Sequence, residues 1–420
     1  MTATKKRPSM LQPYRVLDLT DEKGFCCGRM LGDMGADVIK IERPGGDASR
    51  SIEPFYHDIE QAETSLYWFA FNANKRGITL NIETAEGQEI FKRLVERADF
   101  VIESFTPGYL DELGLDYSTL SGINPRIILT SITPFGQTGP YAKFKGPDIV
   151  CWALSGYMYL LGDPDRPPVR ISYPHAYVYG GAQGAAASLI AHYHRERTGR
   201  GQHIDASIQE YLTVATEEVP NFWLMNQCIR QRAGPFRKRP NTGVLRRLVW
   251  PCKDGHVVYL ILGGRPGLRN MQPLVAWMDS EGLAPAELKE TDWNSFNIST
   301  VDQEILDAIS KPVSEFFQRH TMAELSDGAR DRGIMLYGVS TVKNIIEDTQ
   351  LSARDYWTEL EHPELGTSIT YPNAFAKFSE ADYGLFRRAP LIGEHNEEIY
   401  VEELGYSMED LGIFKQKGVI

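Results

Sequence analysis

The amino-acid sequence predicts an α/β protein in which a Rossmann-like, parallel sheet is covered by helices. Over the first 200 residues, short apolar runs alternate with segments of helical periodicity, the pattern of repeated strand and helix units. Several of these runs are apolar enough to form buried strands. The 420 residues also exceed what one ordinary core holds, so the sequence predicts two domains.

The elements of this layer follow one another in a regular order. The predicted strands cover residues 14–19, 36–42, 77–82, 100–103 and 126–131. The predicted helices cover residues 28–34 and 85–98. In the second helix, Ile90, Phe91 and Leu94 recur at helical spacing, which predicts one apolar face turned toward the sheet.

The pattern changes after residue 210. Residues 226–248 contain seven cationic side chains with Gly and Pro between them, which indicates a linker or a basic loop. Residues 249–262 are predicted to form a hairpin with its turn at Lys253-Asp254-Gly255. An amphipathic helical pattern covers residues 266–332, and strand-like stretches return at 338–342 and 367–370.

These segments predict a division of the chain into three parts. Residues 1–224 form the N-terminal part of a large Rossmann-like domain, and residues 225–330 form a small α+β domain with its linker. Residues 331–420 return to the large domain. We therefore expect both ends of the chain to build one domain.

Composition and charge exclude several classes of protein. Hydrophobic residues make up 42% of the chain and charged residues 24%, the balance of a soluble globular protein. No apolar run is long enough to span a membrane, and no apolar segment of a secretory signal follows the basic N-terminus. The formal net charge of −12 argues against a nucleic-acid binder, although a local basic pocket would still suit a small anion.

The cysteines give no metal-binding pattern. They are Cys26, Cys27, Cys151, Cys228 and Cys252. The vicinal pair Cys26-Cys27 lacks the second pair that a zinc site needs. Scattered thiols fit small core residues in a reducing compartment, so we expect a cytoplasmic protein.

Seven segments between residues 14 and 400 form a recognisable series. They are VLDLT with GADVIKIERPGGD, NANKRGITLNI, ESFTPGYLDELGLDY, TSITPFGQTGPYAKFKGPD with ALSG, RTGRGQHIDASIQE, NIIEDTQLSARDYW and RRAPLIGEHNEEI. In this order they resemble the class III CoA-transferases, the family of formyl-CoA transferase and carnitine CoA-transferase. No single segment is specific, but the whole series is.

The resemblance implies both a fold and a reaction. Members of the family have a large Rossmann-like domain built from both chain ends and a small domain, and two subunits interlock like links of a chain. CoA thioesters bind as substrates, and neither a tightly bound cofactor nor a metal is implied. An aspartate carboxylate attacks the thioester carbonyl, and CoA passes between carboxylic acids through a mixed anhydride and an enzyme-bound thioester.

A tyrosine occupies the position of that aspartate. In the stretch GDPDRPPVRISYPHAYVYGG, the family's spacing from the Pro-Pro pair leads to Tyr177. No Asp or Glu lies between Asp165 and Glu196, so a small shift of the alignment cannot restore the acid. A phenol has a pKa of about 10 and is a poor nucleophile near pH 7. We therefore expect no catalytic residue on this chain. Tyr177 either fills an emptied site, shapes a ligand site with its hydroxyl or takes a direct chemical role.

The resemblance also implies a CoA-binding surface. The positions that it assigns are Arg43, Lys75, Arg76, Leu80, Ser104 and Phe105. Arg43 and the apolar residues of this set match positions that line CoA in relatives. Lys75 and Arg76 are cations near the same strand that could face the phosphates. For Arg43 a solvated or salt-bridged surface role is the alternative, and for Lys75 and Arg76 the surface role is favoured.

Other candidate residues have structural alternatives. The racemases of the family use a His and an Asp as acid and base. The matching residues here are Pro147 and Tyr177, neither of which can exchange a proton in that role, so we expect no racemase activity from this chain. Loop or capping roles are favoured for Asp148 and Asp163 over a role as substitute nucleophile. The histidines near the long helix, for which no metal is predicted, are His192, His194 and His203. For residues 226–248, a phosphate-binding patch is the alternative to a subunit interface or a solvated linker.

These observations predict a subunit of a CoA-transferase that moves CoA between carboxylic acids. Its expected partner is an aspartate-bearing subunit of the same family, in an interlocked heterodimer or higher heteromer. Heteromeric members such as the benzylsuccinate CoA-transferases of anaerobic toluene degradation resemble this arrangement, with succinyl-CoA as the CoA donor. The alternatives are a homodimer that uses a displaced acid, Asp148 or Asp163, and a non-catalytic acyl-CoA-binding pseudoenzyme.

Overall fold

The computed structural model describes residues 9–214, 216, 218–239 and 242–420, which form two compact units. The first unit contains the chain up to Ser155, Ile171–Ala215 and Thr349–Ile420. The second contains Gly156–Arg170 and Thr216–Asp348. None of the helices in these ranges is long and apolar enough to cross a membrane.

A six-stranded sheet forms the centre of the first unit. Its strands are β1 (Arg15–Leu19), β2 (Asp37–Glu42), β3 (Lys75–Thr79), β4 (Phe100–Glu103), β5 (Ile128–Thr133) and β6 (His203–Ser207). They lie in the order β3-β2-β1-β4-β5-β6, and all neighbouring pairs are parallel. Nearly every residue of β1 to β5 is buried, because helices cover both faces of a parallel sheet. The predicted fold class is confirmed.

Ten α-helices belong to the described part of the first unit. They are α1 (Phe25–Asp33), α2 (Leu66–Asn72), α3 (Ala85–Val95), α4 (Tyr109–Glu112), α5 (Tyr117–Ile123), α6 (Asp148–Leu154), α7 (His175–Thr198), α8 (Ile208–Val214), α15 (Thr349–Ala353) and α16 (Met408–Gln416). The hydroxyl of Thr84 caps α3 by accepting from the Gly87 amide. The long helix α7 ends at Gly199, whose φ of +74° suits glycine.

The second unit is built around a small antiparallel sheet. Strands β9 (Val249–Pro251), β10 (His256–Tyr259) and β11 (Leu336–Gly338) lie in the order β11-β10-β9. The predicted hairpin therefore forms, with β9 and β10 antiparallel. The surrounding helices are α9 (Glu218–Asn226), α10 (Gly264–Ser280), α11 (Ala286–Glu290), α12 (Gln303–Arg319), α13 (Met322–Arg332) and α14 (Val342–Ile346). A core of apolar side chains, including Trp250 and Phe317, joins sheet and helices.

Two predictions in this region need correction. The basic stretch was expected to be a linker or loop, but it contains a short antiparallel pair, β7 (Phe236–Lys238) and β8 (Leu245–Arg247). A cation–π contact across the pair favours it, since the Arg247 guanidinium lies 5.0 Å from the ring centre of Phe236, its partner residue in the ladder. The stretch 331–348 was assigned to the large domain. It belongs to the second unit because β11 completes the antiparallel sheet through β10.

The C-terminal segment packs on the edge strand β3 of the first unit. It contains a hairpin of β12 (Trp357–His362) and β13 (Thr367–Pro372), and a π-helix over Glu398–Glu403. The Gly77 amide donates to Nδ1 of His395 at 3.1 Å, and the Tyr400 hydroxyl donates to the Thr79 carbonyl oxygen at 2.7 Å. Both chain ends therefore contribute to one unit.

Candidate active site

The carboxyl ends of β1 to β4 open into a cavity of about 300 Å³, which we call the strand-end cavity. Because parallel strands all end at one edge of a sheet, residues that follow different strands meet there. The lining includes Arg43, Leu80, Ser104 and Phe105. The structure thus brings together four of the six residues that the sequence analysis assigned to CoA. Contact with CoA itself stays a prediction.

A second cavity of about 390 Å³ lies beside the first and contains Tyr177, and we call it the Tyr177 cavity. Asp21, Ser104 and Phe105 line both cavities. Pro147, the residue at the racemase position, also lines the Tyr177 cavity. The two cavities therefore share a wall, and the predicted CoA positions lie next to Tyr177, the position predicted for the nucleophile.

Helix α7 positions Tyr177 in its first turn, where the side chain is 8% exposed. The hydroxyl donates to the carbonyl oxygen of Gly146 at 3.2 Å. Burial raises the pKa of Tyr177 further above its ordinary value, and the nearby acidic groups act in the same direction. The side chain is therefore a neutral hydrogen-bond donor in this site.

Asp21 is a residue of the site that the sequence analysis missed. It follows the end of β1 and lines both cavities. Its Oδ1 accepts from the Ser104 hydroxyl at 2.7 Å, and its Oδ2 is ion-paired with Lys23. Its position just after a buried strand was the signal that could have identified it. Both carboxylate oxygens are engaged, which weakens Asp21 as a nucleophile.

Arg43 lies at the open side of the strand-end cavity. Its guanidinium is 3.1 Å from a carboxylate oxygen of Glu83, and its side chain is 70% exposed. The Tyr109 hydroxyl donates to the same Glu83 oxygen at 2.7 Å. An exposed pair of this kind is worth at most about 1 kcal/mol, so Arg43 can exchange this partner for a ligand at small cost.

Neither Lys75 nor Arg76 lines either cavity; both are ion-paired, but they are buried rather than at the surface. Lys75 is fully buried and its ammonium lies 2.7 Å from Asp18, inside the unit. Arg76 is 8% exposed and is paired with Asp37, Glu398 and Glu403. Each cation is held by carboxylates, since a buried charge requires a partner. In this unit both side chains serve as buried ion-pair partners.

Glu103 ends β4 directly below the two cavities and is 4% exposed. Its Oε2 accepts from the Phe105 amide at 2.6 Å, and burial raises the pKa of its carboxyl to about 7. The hydroxyl of Ser131 bonds to it and also lies 2.9 Å from Nε2 of His203. Glu103 thus holds the backbone at Phe105, which lines both cavities.

The remaining candidates occupy separate places. Asp148 begins α6, and its Oδ1 accepts from the Ala176 amide at 2.8 Å, next to Tyr177. Asp163 belongs to the second unit. His192 contacts Arg195 at 2.9 Å. Among the residues that the structure describes, no group of His, Cys, Asp and Glu could hold a metal ion.

Comparison with known proteins identifies the family. Residues 11–396 match CoA-transferase family III. This chain belongs to that family. The substrates of such a CoA-transferase are CoA thioesters, and no tightly bound cofactor takes part. The family predicted from the seven sequence segments is confirmed.

Individual relatives of this CoA-transferase cover almost its whole length. It is 35% identical over 409 residues to the succinyl-CoA:(R)-benzylsuccinate CoA-transferase subunit BbsE of Thauera aromatica, which covers 97% of each chain. It is 31% identical over 396 residues, 94% of each chain, to the beta subunit of the succinyl-CoA–L-malate CoA-transferase of Chloroflexus aurantiacus. The crystal structure of a CAIB/BAIF family protein from Brucella suis matches with a TM-score of 0.81 and 30% identity, over 94% of this chain and 100% of that one.

Proposed function

We propose that this chain is the non-nucleophilic subunit of a heteromeric CoA-transferase and works with an aspartate-bearing subunit of the same family. The observation that carries the proposal is the position of Tyr177. Its neutral hydroxyl lies in a cavity that shares Asp21, Ser104 and Phe105 with the strand-end cavity. The chain thus has a surface for a CoA thioester beside a side chain that cannot exchange CoA.

The chemistry explains why tyrosine cannot replace aspartate. An aspartate carboxylate attacks the thioester carbonyl, the C–S bond breaks, and a mixed anhydride and CoA thiolate form. The thiolate then attacks the aspartate carbonyl carbon, releases the donor acid and leaves CoA on the enzyme. The acceptor carboxylate attacks this thioester, and the returning thiolate completes the acceptor thioester and frees the aspartate. A tyrosine oxygen is bonded to a ring carbon, so the enzyme has no carbonyl carbon on which to hold CoA.

Two relatives support the substrates and the heteromer. Both are named as subunits, one of a succinyl-CoA:(R)-benzylsuccinate CoA-transferase and one of a succinyl-CoA–L-malate CoA-transferase. We therefore propose succinyl-CoA as the CoA donor and a substituted dicarboxylic acid such as benzylsuccinate as the acceptor. A cytoplasmic location accords with these substrates.

Isolation of the chain from its native source tests the heteromer. We expect size-exclusion chromatography and mass spectrometry to identify a second family III chain that carries aspartate at the position of Tyr177. Mixing the two purified chains should give succinyl-CoA-dependent CoA transfer, and this chain alone should give none. Transfer by this chain alone at a rate typical of enzymes would refute the proposal.

Asp21 supports one alternative, a homodimer with a displaced acid, because it is the carboxylate that lines both cavities. The Asp21→Asn variant separates the two functions. In a homodimeric enzyme it abolishes a turnover that this chain performs alone. In the proposed heteromer, the complex with the Asp21→Asn variant still transfers CoA, because the partner's nucleophile is intact. A stable homodimer that binds an acyl-CoA without turning it over would instead indicate a pseudoenzyme.

A further inference from the structure

The second unit contains a cationic cavity of about 460 Å³ that the proposed transfer reaction does not use, and we call it the basic pocket. Four of its lining residues are cations, and the others are apolar or neutral. The cations are Arg237, Lys238, Arg239 and Arg246. The neutral polar ones are Asn226, Thr242 and Ser299. No carboxylate lines this pocket among the described residues.

The hairpin places two of these arginines directly opposite each other. Arg237 and Arg246 are paired residues of β7 and β8. Like charges at such positions repel and destabilise the strand pair. Burial and the neighbouring Arg237 and Arg239 lower the pKa of Arg246. The free protein therefore carries a cost that a bound anion would remove.

No acidic side chain of the described chain neutralises the four cations. None of them forms an ion pair with another residue of the described ranges, 218–239 and 242–420 included. Arg239 donates to the Val301 carbonyl oxygen at 3.0 Å and also contacts the Ile298 carbonyl oxygen. The nearby Glu218 is instead paired with Arg230 at 3.1 Å. Three guanidinium groups and one ammonium thus surround a cavity whose counter-charge is missing.

We propose that the basic pocket binds a small molecule through a phosphate or diphosphate group. Guanidinium groups donate paired hydrogen bonds that match phosphate oxygens. A phosphate monoester or diphosphate carries two or more negative charges, which suits four cations better than a single carboxylate does. The volume lies within the range of small-molecule sites, roughly 300–1,000 Å³. The hydroxyls of Thr242 and Ser299 add neutral donors for a bound phosphoester.

Calorimetric titration of the full-length chain with inorganic pyrophosphate tests this site. We expect binding that weakens as salt is added. Each of Arg237→Gln and Arg246→Gln should weaken it roughly 10-fold or more, since a charge-assisted hydrogen bond is worth about 1.5–3 kcal/mol. The matched control is Arg319→Gln, which removes an exposed cation of the same unit and should leave the affinity within about twofold. Arg43→Gln should also leave pyrophosphate binding unchanged, because Arg43 lies in the first unit.

Two further measurements make the result decisive. Arg237→Lys keeps the charge but loses the paired donors, so it should bind pyrophosphate more weakly than the wild type even if a Gln variant folds poorly. Titration with ADP and with CoA distinguishes the sources, because the ligand whose diphosphate occupies the basic pocket should bind more weakly to the Arg246→Gln variant, and the other should not. Wild-type affinity in the Arg237→Gln/Arg246→Gln variant would overturn the proposal. An absence of pyrophosphate binding by the wild-type chain would also overturn it. If the double variant in addition no longer retains a co-purifying subunit, the cluster belongs to a protein interface.

Discussion

Tyr177 donates one hydrogen bond to the Gly146 carbonyl oxygen, in the cavity for which the sequence analysis predicted the emptied nucleophile position. If Tyr177 only fills this cavity, its aromatic ring contributes more to that role than its hydroxyl does. The raised pKa that burial causes keeps the hydroxyl protonated. Its contribution at this position is therefore packing and a single hydrogen bond.

The Tyr177→Phe variant tests this role. Loss of the hydrogen bond should lower the free energy of unfolding by about 1 kcal/mol. The rate of CoA transfer by the complex with the aspartate-bearing partner should stay within about twofold, because the proposed heteromer places the nucleophile on the partner. Urea denaturation and steady-state kinetics measure the two effects. A loss of activity of tenfold or more would assign the hydroxyl a direct role in the reaction.

Glu103 predicts a pH dependence of stability. Its pKa is raised from 4.5 to about 7 in the folded protein by burial. Between these values the folded state holds a proton that the unfolded state has lost, so stability falls as pH rises. The loss is complete above pH 7 and amounts to roughly 3 kcal/mol.

The Glu103→Gln variant removes this titration while keeping an oxygen for the Phe105 amide. We expect it to match the wild type near pH 4.5 and to be more stable at pH 8, with a flatter profile between. The midpoint of urea denaturation at several pH values measures this. The exposed Glu60→Gln substitution is the control and should not change the slope. Parallel profiles for Glu103→Gln and the wild type would contradict the assignment.

Helix α7 depends on glycines for its close approach to the sheet and to α1. A Cβ at Gly181 would lie 2.7 Å from the Cys26 Cβ and 3.0 Å from the Cys27 backbone nitrogen. A Cβ at Gly184 would lie 2.6 Å from the Ile132 side chain. These glycines follow Tyr177 by one to two turns, so the packing of α7 sets the position of the Tyr177 ring.

Gly181→Ala and Gly122→Ala form a matched pair that tests this packing. Both residues are helical, but a Cβ at Gly122 would meet no atom within 4 Å. Alanine at Gly122 should stabilise the protein by about 0.5–1 kcal/mol, the usual helix preference. At Gly181 the clash with backbone should exceed that gain and destabilise by about 1–3 kcal/mol. The midpoint temperatures of thermal denaturation of the two variants measure these effects. Equal changes in midpoint for Gly181→Ala and Gly122→Ala would refute the close approach of α7 at Gly181.

In the β7–β8 hairpin, strand pairing brings like charges together, and their repulsion destabilises the pair. Arg237 faces Arg246 across the strands, and Arg247 covers the ring of Phe236. Backbone pairing and this cation–π contact therefore stabilise a hairpin that concentrates positive charge. The chain as a whole carries a formal net charge of −12, so this element is a local exception to the acidic surface.

For the whole molecule, the proposed heteromer predicts how many aspartates form the enzyme-bound thioester: one in each pair of chains. Borohydride added during turnover should reduce the enzyme-bound thioester and label one aspartate per pair of chains. We expect the labelled peptide to come from the partner and none from this chain, because Tyr177 cannot form that intermediate. Mass spectrometry of the peptides measures this, and a partner lacking the aspartate is the control. A labelled peptide containing Asp21 or Asp148 would contradict the heteromeric assignment.

The sequence by itself determined the family and the parallel sheet, and it predicts that Tyr177 stands at the nucleophile position. Local apolar runs and ordered motifs carry this information, because buried parallel strands and family segments are continuous in the chain. Four of the six predicted CoA residues meet at one sheet edge, since each follows or ends a strand.

Only the tertiary structure decided the roles of Lys75, Arg76 and the basic stretch. Lys75 and Arg76 resemble surface cations in the sequence, but Asp18 and Glu398, 57 and 322 residues away along the chain, bury and pair them. The same holds for Asp21, whose two cavities form from strands that are distant in sequence. Charge compensation and cavity shape depend on such long-range contacts, which no local pattern of residues encodes.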